Sequence, residues 1–245
     1  MTEIRGSIVN IERFRMDTDG EGIATLVALY GCNLGCRYCA NKECRNQKYK
    51  KEVSAKEVAR ILMKDALYYR ATNGAVVFGG GEPLLQSDFI RSVCYELDED
   101  INIRIETALN VPWETIERLT GIVDKWIIDI KDTVPQIYKN YTGWDNGRVL
   151  YNLNRLVEAV GKDKVHVRIP RIEHYNDDIS VGISVDLVKE QWGIEPEVFD
   201  YIVGDETLKT VKESSKLVTE EAVNVKKNET FSESALSFFN KILRS

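Results

Sequence analysis

The chain has 245 residues, 43% of them hydrophobic and 29% charged, with a net charge of −6. That balance fits a globular α/β protein long enough to bury a full core, and its acidity argues against general nucleic-acid binding. No apolar run approaches the roughly 20 residues that span a bilayer, and Met1-Thr2-Glu3-Ile4-Arg5 lacks an apolar signal-peptide core, so a cytoplasmic protein is expected.

In chain order, Ile23–Leu29 is a short apolar run and reads as a strand, with a cysteine-bearing loop over about residues 30–47 after it. Ser54-Ala55-Lys56-Glu57 forms a capping box that opens a helix to about Ala71. Ala75–Phe78 reads as a strand running into Gly79-Gly80-Gly81, and Ser87 to about Asp98 as a helix. Ile101, Ile103 and Ile105 alternate with Asn102, Arg104 and Glu106, the period of a strand. Pro112 opens a short helix, Asp124–Lys131 is a strand, and Gly147–Val160 a helix. Val165, Val167 and Ile169 alternate with His166 and Arg168 in a further strand. Ile179–Trp192 is helical, Val198–Val203 is strand-like, and a helical tail over about 205–245 ends in an amphipathic helix near Ser232–Leu243. Six strands separated by helices give the rhythm of parallel βαβ units in a single domain over residues 1–245.

The polar residues recur at the C-terminal ends of these strands: the cysteines, then Gly80-Gly81-Glu82-Pro83, Glu106, Asp129 with Lys131, and Arg168. In a barrel of parallel strands those ends gather around one mouth, where active sites sit. Residues two apart share a strand face, so Asp129 and Lys131, Arg104 and Glu106, and His166 and Arg168 should point together. Cys32, Cys36 and Cys39 are spaced C-x3-C-x2-C within eight residues. A [4Fe–4S] cluster normally takes four cysteines, so three would leave one iron open for another ligand. Zinc is the rival occupant, with Cys44 as a fourth ligand. Cys94 falls on an apolar helix face and reads as core. The triple glycine has neither the ending of a P-loop nor the spacing of a dinucleotide site.

These residues carry a family resemblance. The cysteine spacing after a first strand, with Tyr38 just before Cys39, resembles the radical S-adenosylmethionine (SAM) superfamily, and Gly80-Gly81-Glu82-Pro83 resembles its glycine-rich SAM motif. Asp19-Gly20-Glu21-Gly22-Ile23, Asp129-Ile130-Lys131 with Tyr141-Thr142-Gly143, and Val167-Arg168-Ile169-Pro170 with Tyr175-Asn176-Asp177 are similar to segments of glycyl-radical-enzyme activating enzymes. The resemblance implies a partial (β/α)6 barrel and a [4Fe–4S] cluster on Cys32, Cys36 and Cys39. It implies SAM held by Tyr38, Gly80, Gly81, Glu82, Glu106, Asp129, Lys131 and Arg168, with Lys131 also counted as catalytic. Reductive cleavage of SAM would yield a 5′-deoxyadenosyl radical that takes hydrogen from a glycine of a partner enzyme. A flavodoxin or ferredoxin would supply the electron, a monovalent cation could sit near Glu106 and Asp129, and the free protein would be a monomer in an anaerobic setting.

Three segments depart from the family pattern. The last strand, Val198-Phe199-Asp200-Tyr201-Ile202-Val203-Gly204, lacks the histidine of an L-P-Y-H motif. Glu173-His174 stands where the family has Pro-Gly, and Thr107-Ala108-Leu109 where it has Thr-Asn-Gly. They leave room for a radical SAM enzyme acting on another peptide or a small metabolite. A non-catalytic iron–sulfur or zinc module is the reading from another class.

Overall fold

A computed structural model describes residues 3–16 and 19–201. These fall into two compact units. The first is built from the residues up to Asn33, from Ala40–Asp129 and from Asn152–His166, the second from Leu34–Cys39, Ile130–Tyr151 and the residues from Val167 on.

In the first unit the strands lie in the order β3-β1-β2-β4-β5-β6. β1 (Arg5–Arg15) is antiparallel to both β2 (Ala24–Leu29) and β3 (Lys51–Ser54). From β2 onward the neighbours are parallel: β4 (Ala75–Gly80), β5 (Ile103–Thr107) and β6 (Lys125–Asp129). Every residue of β2 is buried, and so is β4 up to its last glycine, as expected of central parallel strands covered on both faces. The covering helices are α1 (Ala55–Leu62), α2 (Ala66–Thr72), α3 (Ser87–Cys94) and α4 (Trp113–Glu117). α1 buries Ala55, Val58, Ala59 and Leu62, the three-and-four spacing of one helix face. Its start is fixed by a reciprocal pair: Glu57 N–H donates to Ser54 Oγ at 3.3 Å, and Ser54 N–H donates to Glu57 at 2.8 Å.

In the second unit β7 (Val165–Arg171) pairs in parallel with β8 (Glu197–Asp200), Arg168 facing Glu197 in register. α5 (Pro135–Thr142) starts on a proline and ends at Gly143 in a left-handed conformation, φ 84°. α7 (Asp178–Trp192) is capped by Asp177, whose carboxylate accepts from Ser180 N–H at 2.9 Å. α6 (Gly147–Val160) and β7 contribute residues to both units.

The α/β rhythm read from the sequence is present, but eight strands are described rather than six. β1 escapes a period-of-two reading because its pairing with β2 slips twice, between Ile8 and Asn10 and between Glu12 and Arg15. The helix expected from Ser54 to Ala71 is interrupted by a 3₁₀ turn at Met63–Asp65. There Asp65 turns inward to a bidentate pair with Arg13. β6 stops at Asp129, so Lys131 lies beyond the strand and the shared-face argument does not hold for it. The helix expected near Ser232–Leu243 lies outside the described residues.

Candidate active site

Cysteine loop and glycine turn are joined through their backbones in the first unit. Gly81 N–H donates to Leu29 C=O at 3.1 Å, and Glu82 N–H donates to Gly31 C=O at 2.7 Å. Gly31 N–H donates in turn to Cys44 C=O at 2.8 Å, and Asn41 Nδ2 to Gly80 C=O at 3.1 Å. Entry to and exit from the loop therefore both hang on the segment Gly80–Glu82. Only glycine allows this approach. A Cβ on Gly81 would sit 2.0 Å from Gly31 C=O, and Gly80 has φ +92° with Ala28 Cα 2.9 Å from where its Cβ would be.

Glu82 is 1% exposed and faces the interior. Its carboxylate accepts from Thr107 Oγ1 at 2.7 Å, Ala108 N–H at 3.1 Å and Leu84 N–H at 3.2 Å. With these three donors it fixes the turn after β5. That turn accounts for one departure from the family pattern. Leu109 stands where the family has glycine and keeps a left-handed backbone, φ 57°. The strained residue is held on every side: its N–H donates to Thr107 Oγ1 at 2.9 Å, its C=O accepts from Asn152 at 2.8 Å, and its side chain is fully buried.

Burial pushes the Glu82 carboxyl from its ordinary 4.5 up to about 7, its three donors pull it down, and the charge of Asp129 pushes it further up. Because the folded value is raised, this group's contribution to stability is fully present below about pH 4.5 and is lost as pH rises through about 7. Unfolding free energy from urea titrations should therefore decline between pH 5 and 8, and Glu82→Gln should flatten that decline. The slope left over belongs to Asp132, which burial also pushes up to about 7. An unchanged slope in Glu82→Gln would count against this assignment.

A cavity of 580 Å³ opens in the first unit, lined by Gly80 and Glu106 together with Asn10, Glu12, Arg15 and Lys51. Its size suits a ligand of nucleoside dimensions. Arg104, two residues before Glu106, does not serve it. Its guanidinium is buried and donates to the carbonyls of Asp19 (2.8 Å), Glu21 (3.0 Å) and Asn73 (3.0 Å). It thereby clamps the Asp19–Gly22 loop, whose Asp19 is paired with Arg15 at 2.6 Å.

The middle of the cysteine loop belongs to the second unit. Gly35 N–H donates to Thr142 C=O at 2.9 Å and Arg37 N–H to Tyr141 C=O at 3.1 Å, which explains why a Y-T-G segment accompanies the cysteines. Tyr38 is buried among Tyr141, Tyr175 and Ile172, the three rings meeting edge to face with centroids 5.1–6.3 Å apart. Tyr201 Oη donates to Tyr38 C=O at 2.5 Å. Burial pushes the Tyr38 phenol up to about 12, so it stays neutral. Lys131 and Arg168 are both half-buried, and Ile130 N–H donates to Arg168 C=O at 3.0 Å. His174, the other departure, takes a left-handed backbone (φ 68°) where the family has glycine, and lies 3.4 Å from Glu173. The sequence reading missed the buried polar side chains Asp132, Thr133, Asn146 and Ser184, which follow or lie between the motif segments without belonging to them.

Cys32, Cys36 and Cys39 are partly exposed and form no disulfide. Their chemistry as three soft donors on one loop fits iron–sulfur ligation. Cys44 is 1% exposed and packed among Val9, Ala28 and Tyr30, which argues against its service as a fourth zinc ligand. Among the described residues no three Cys, His, Asp or Glu side chains are gathered about a point that would hold a metal ion. No described helix is long and apolar enough to cross a membrane.

Residues 26–180 match the model of the radical SAM superfamily, and the chain belongs to that superfamily. Within it, the chain is a radical SAM enzyme of the activating-enzyme type. It is 33% identical to the pyruvate formate-lyase-activating enzyme of Clostridium pasteurianum over 72% of this chain and 74% of that one. It is 28% identical to the (2S)-3-sulfopropanediol dehydratase activating enzyme of Klebsiella oxytoca, over 77% and 78%. Among solved structures, SuiB of Streptococcus suis bound to S-adenosylmethionine matches 80% of this chain and 46% of its own, with TM-score 0.57 and 19% identity. A radical SAM methyltransferase from Sphaerobacter thermophilus matches 85% and 74%, with TM-score 0.53 and 16% identity. These likenesses show the fold, the α/β partial-barrel class that the resemblance implied.

Proposed function

We propose that this enzyme binds a [4Fe–4S] cluster through Cys32, Cys36 and Cys39 and activates a partner glycyl radical enzyme. The observation that carries this reading is the set of hydrogen bonds from Gly80–Glu82 to both ends of the cysteine loop, by backbone to Leu29 and Gly31 and by the Asn41 side chain to Gly80, which ties a SAM-type glycine turn to the thiol-bearing loop. When bound, the cluster supplies one electron to cleave SAM, and the 5′-deoxyadenosyl group so released takes hydrogen from the partner's glycine. The protein's own part is to hold and orient. Gly80 and Gly81 offer close backbone approach to the methionyl end, and Lys131 and Arg168 offer charged donors to its carboxylate. Tyr38 holds the loop turn between Cys36 and Cys39. The experiment is to mix the reduced protein and SAM with a candidate partner and look for an organic radical on the partner by electron paramagnetic resonance. SAM cleavage without such a radical, across the glycyl radical enzymes of the same genome, would favour the second reading.

That second reading is a radical SAM enzyme acting on another peptide or a small metabolite. What favours it is the last strand, where the described residues Val198–Tyr201 carry no histidine and Tyr201 is engaged with the cysteine loop.

Other finer parts of the proposal follow from charge. The reading also includes a monovalent cation beside Glu106, which lines the cavity, and Asp129, whose charge acts on Glu82; SAM affinity should then fall when potassium and sodium are replaced by a bulky ammonium ion. An unchanged affinity would reject the cation. Lys42, Arg45, Lys48 and Lys51 are exposed around the outer side of the cysteine loop, whereas Lys50 is paired with Glu52 at 2.8 Å. This basic patch suits an acidic flavodoxin or ferredoxin, since complementary charge mainly speeds encounter. Reversing Lys48 and Lys51 to Glu should slow cluster reduction by flavodoxin about tenfold at low salt and flatten its salt dependence. The setting we infer is cytoplasmic.

A further inference from the structure

Next to Lys131 in the chain begins a buried polar network that joins two motif segments far apart in sequence. Asp132 follows Lys131 directly and is fully buried. Its Oδ1 accepts from Val134 N–H at 2.8 Å, and its Oδ2 accepts from Asn176 Nδ2 at 3.2 Å. Asn176 uses the rest of its amide on the exit of β7: Nδ2 also donates to Pro170 C=O at 2.9 Å, and Oδ1 accepts from Ile172 N–H at 2.6 Å. Ser184 on α7 accepts from Thr133 N–H at 3.0 Å, and Asn146 donates to Thr133 C=O at 2.7 Å. The segment carrying Lys131 is thus tied on one side by Ile130 N–H to Arg168 C=O, and on the other by Asp132 to Asn176. All of these residues lie in the second unit.

We propose that Asp132 and Asn176 form a positioning pin that sets Lys131 and Arg168 side by side for the carboxylate and ribose of SAM. The inference rests on the SAM-binding roles proposed above for those two cations. Its reasoning is geometric. Lys131 stands two residues past the end of β6, and a long side chain there is useful only if its backbone is held. A carboxylate with two or more satisfied acceptor positions holds a buried loop more firmly than a neutral pair, and removing one partner leaves the other buried and unpaired. Asn is the residue type that can accept from one backbone group while donating to a carboxylate and a second carbonyl, which is what position 176 does. A merely structural knot would make the same contacts, so the test must separate affinity from stability.

The experiment compares Asp132→Asn, Asn176→Asp and the double exchange in cluster-loaded protein. SAM affinity is read by equilibrium dialysis, stability by thermal melting, and amide hydrogen exchange at Ile130 and Ile172 by mass spectrometry. Each single variant sets like against like: Asp132→Asn turns one of two acceptors into a donor that faces Val134 N–H or Asn176 Nδ2, and Asn176→Asp sets carboxylate against carboxylate. Each should bind SAM about tenfold more weakly and exchange faster at both amides. The double exchange restores the donor–acceptor pair between the two side chains, at the loss of the bond to Pro170 C=O, and should recover affinity to within about threefold of wild type. Should both single variants fail to fold, the double variant alone decides, by binding SAM at that level or not. Single variants that keep wild-type affinity while Lys131→Ala loses it would overturn the pin. A double variant no better than the singles would overturn it as well. If Lys131→Ala and Arg168→Ala both bind SAM normally, the proposed cation roles fall instead, and the pin loses its purpose with them.

Discussion

Cys36→Ser protein, reconstituted anaerobically with iron and sulfide, is expected to carry no stable [4Fe–4S] cluster and to release no 5′-deoxyadenosine from SAM above background. Serine keeps the size and loses the donor, because a hydroxyl stays protonated where a thiolate binds iron. The change is well chosen because the loop does not depend on the sulfur for its shape. Gly35 and Arg37, on either side, are held by backbone bonds to Thr142 and Tyr141, and Tyr38 is buried in its tyrosine cluster. The variant should therefore melt within a few degrees of the iron-free wild type. Loss of cluster in a protein that still folds assigns the sulfur to ligation. A full iron complement with normal SAM cleavage would remove Cys36 from the ligand set. The same experiment on Cys44, buried in an apolar cluster, should leave iron loading intact.

Gly81→Ala should be among the most damaging single methyls in the first unit. The added Cβ would lie 2.0 Å from Gly31 C=O and 3.0 Å from Leu29 C=O, and both contacts are with backbone, which cannot swing aside. The two hydrogen bonds that lock the glycine turn to the cysteine loop must lengthen or break. Overpacking with lost hydrogen bonds amounts to about 3 kcal/mol. For a domain of this size that is a fall in melting temperature of roughly 10 °C. SAM binding should fall with it, because the same backbone is the proposed approach to the methionyl group. Gly121→Ala makes a suitable control, since nothing lies within 4 Å of its Cβ position. A Gly81→Ala protein as stable as that control would mean that the glycine turn is looser than described.

Much of the scaffold was legible because local signals and burial agree. Ser54 and Glu57 mark the start of α1 by chemistry that is purely local, and Gly147–Val160 is the helix its apolar spacing foretells. β2 and β4 read as strands because central parallel strands are apolar throughout. β1 did not, since two bulges shift its alternation partway along. α5 carried the start and stop signals of Pro135 and Gly143, yet was taken only as part of a motif.

The site divides the same way. Residue types at motif positions could be read, but which way a side chain faces could not. Glu82 and Arg104 both proved to be interior clamps, because turns in contact with them supply backbone partners that no spacing rule reveals. The two lost glycines were seen as departures from a family pattern. In three dimensions Leu109 and His174 both take a left-handed backbone, the conformation that glycine adopts at least cost. The pin between Asp132 and Asn176 joins positions 44 apart in sequence and had no local signature at all.

The central claim is that a SAM-derived radical made at the cysteine loop takes its hydrogen from a glycine of a partner protein. The most direct measurement uses a partner glycyl radical enzyme labelled with deuterium at glycine Cα, mixed with the reduced protein and SAM, with deuterium followed into 5′-deoxyadenosine. The account predicts one deuterium in the product for each radical formed on the partner. 5′-Deoxyadenosine without deuterium, and no radical on any candidate partner, would contradict it.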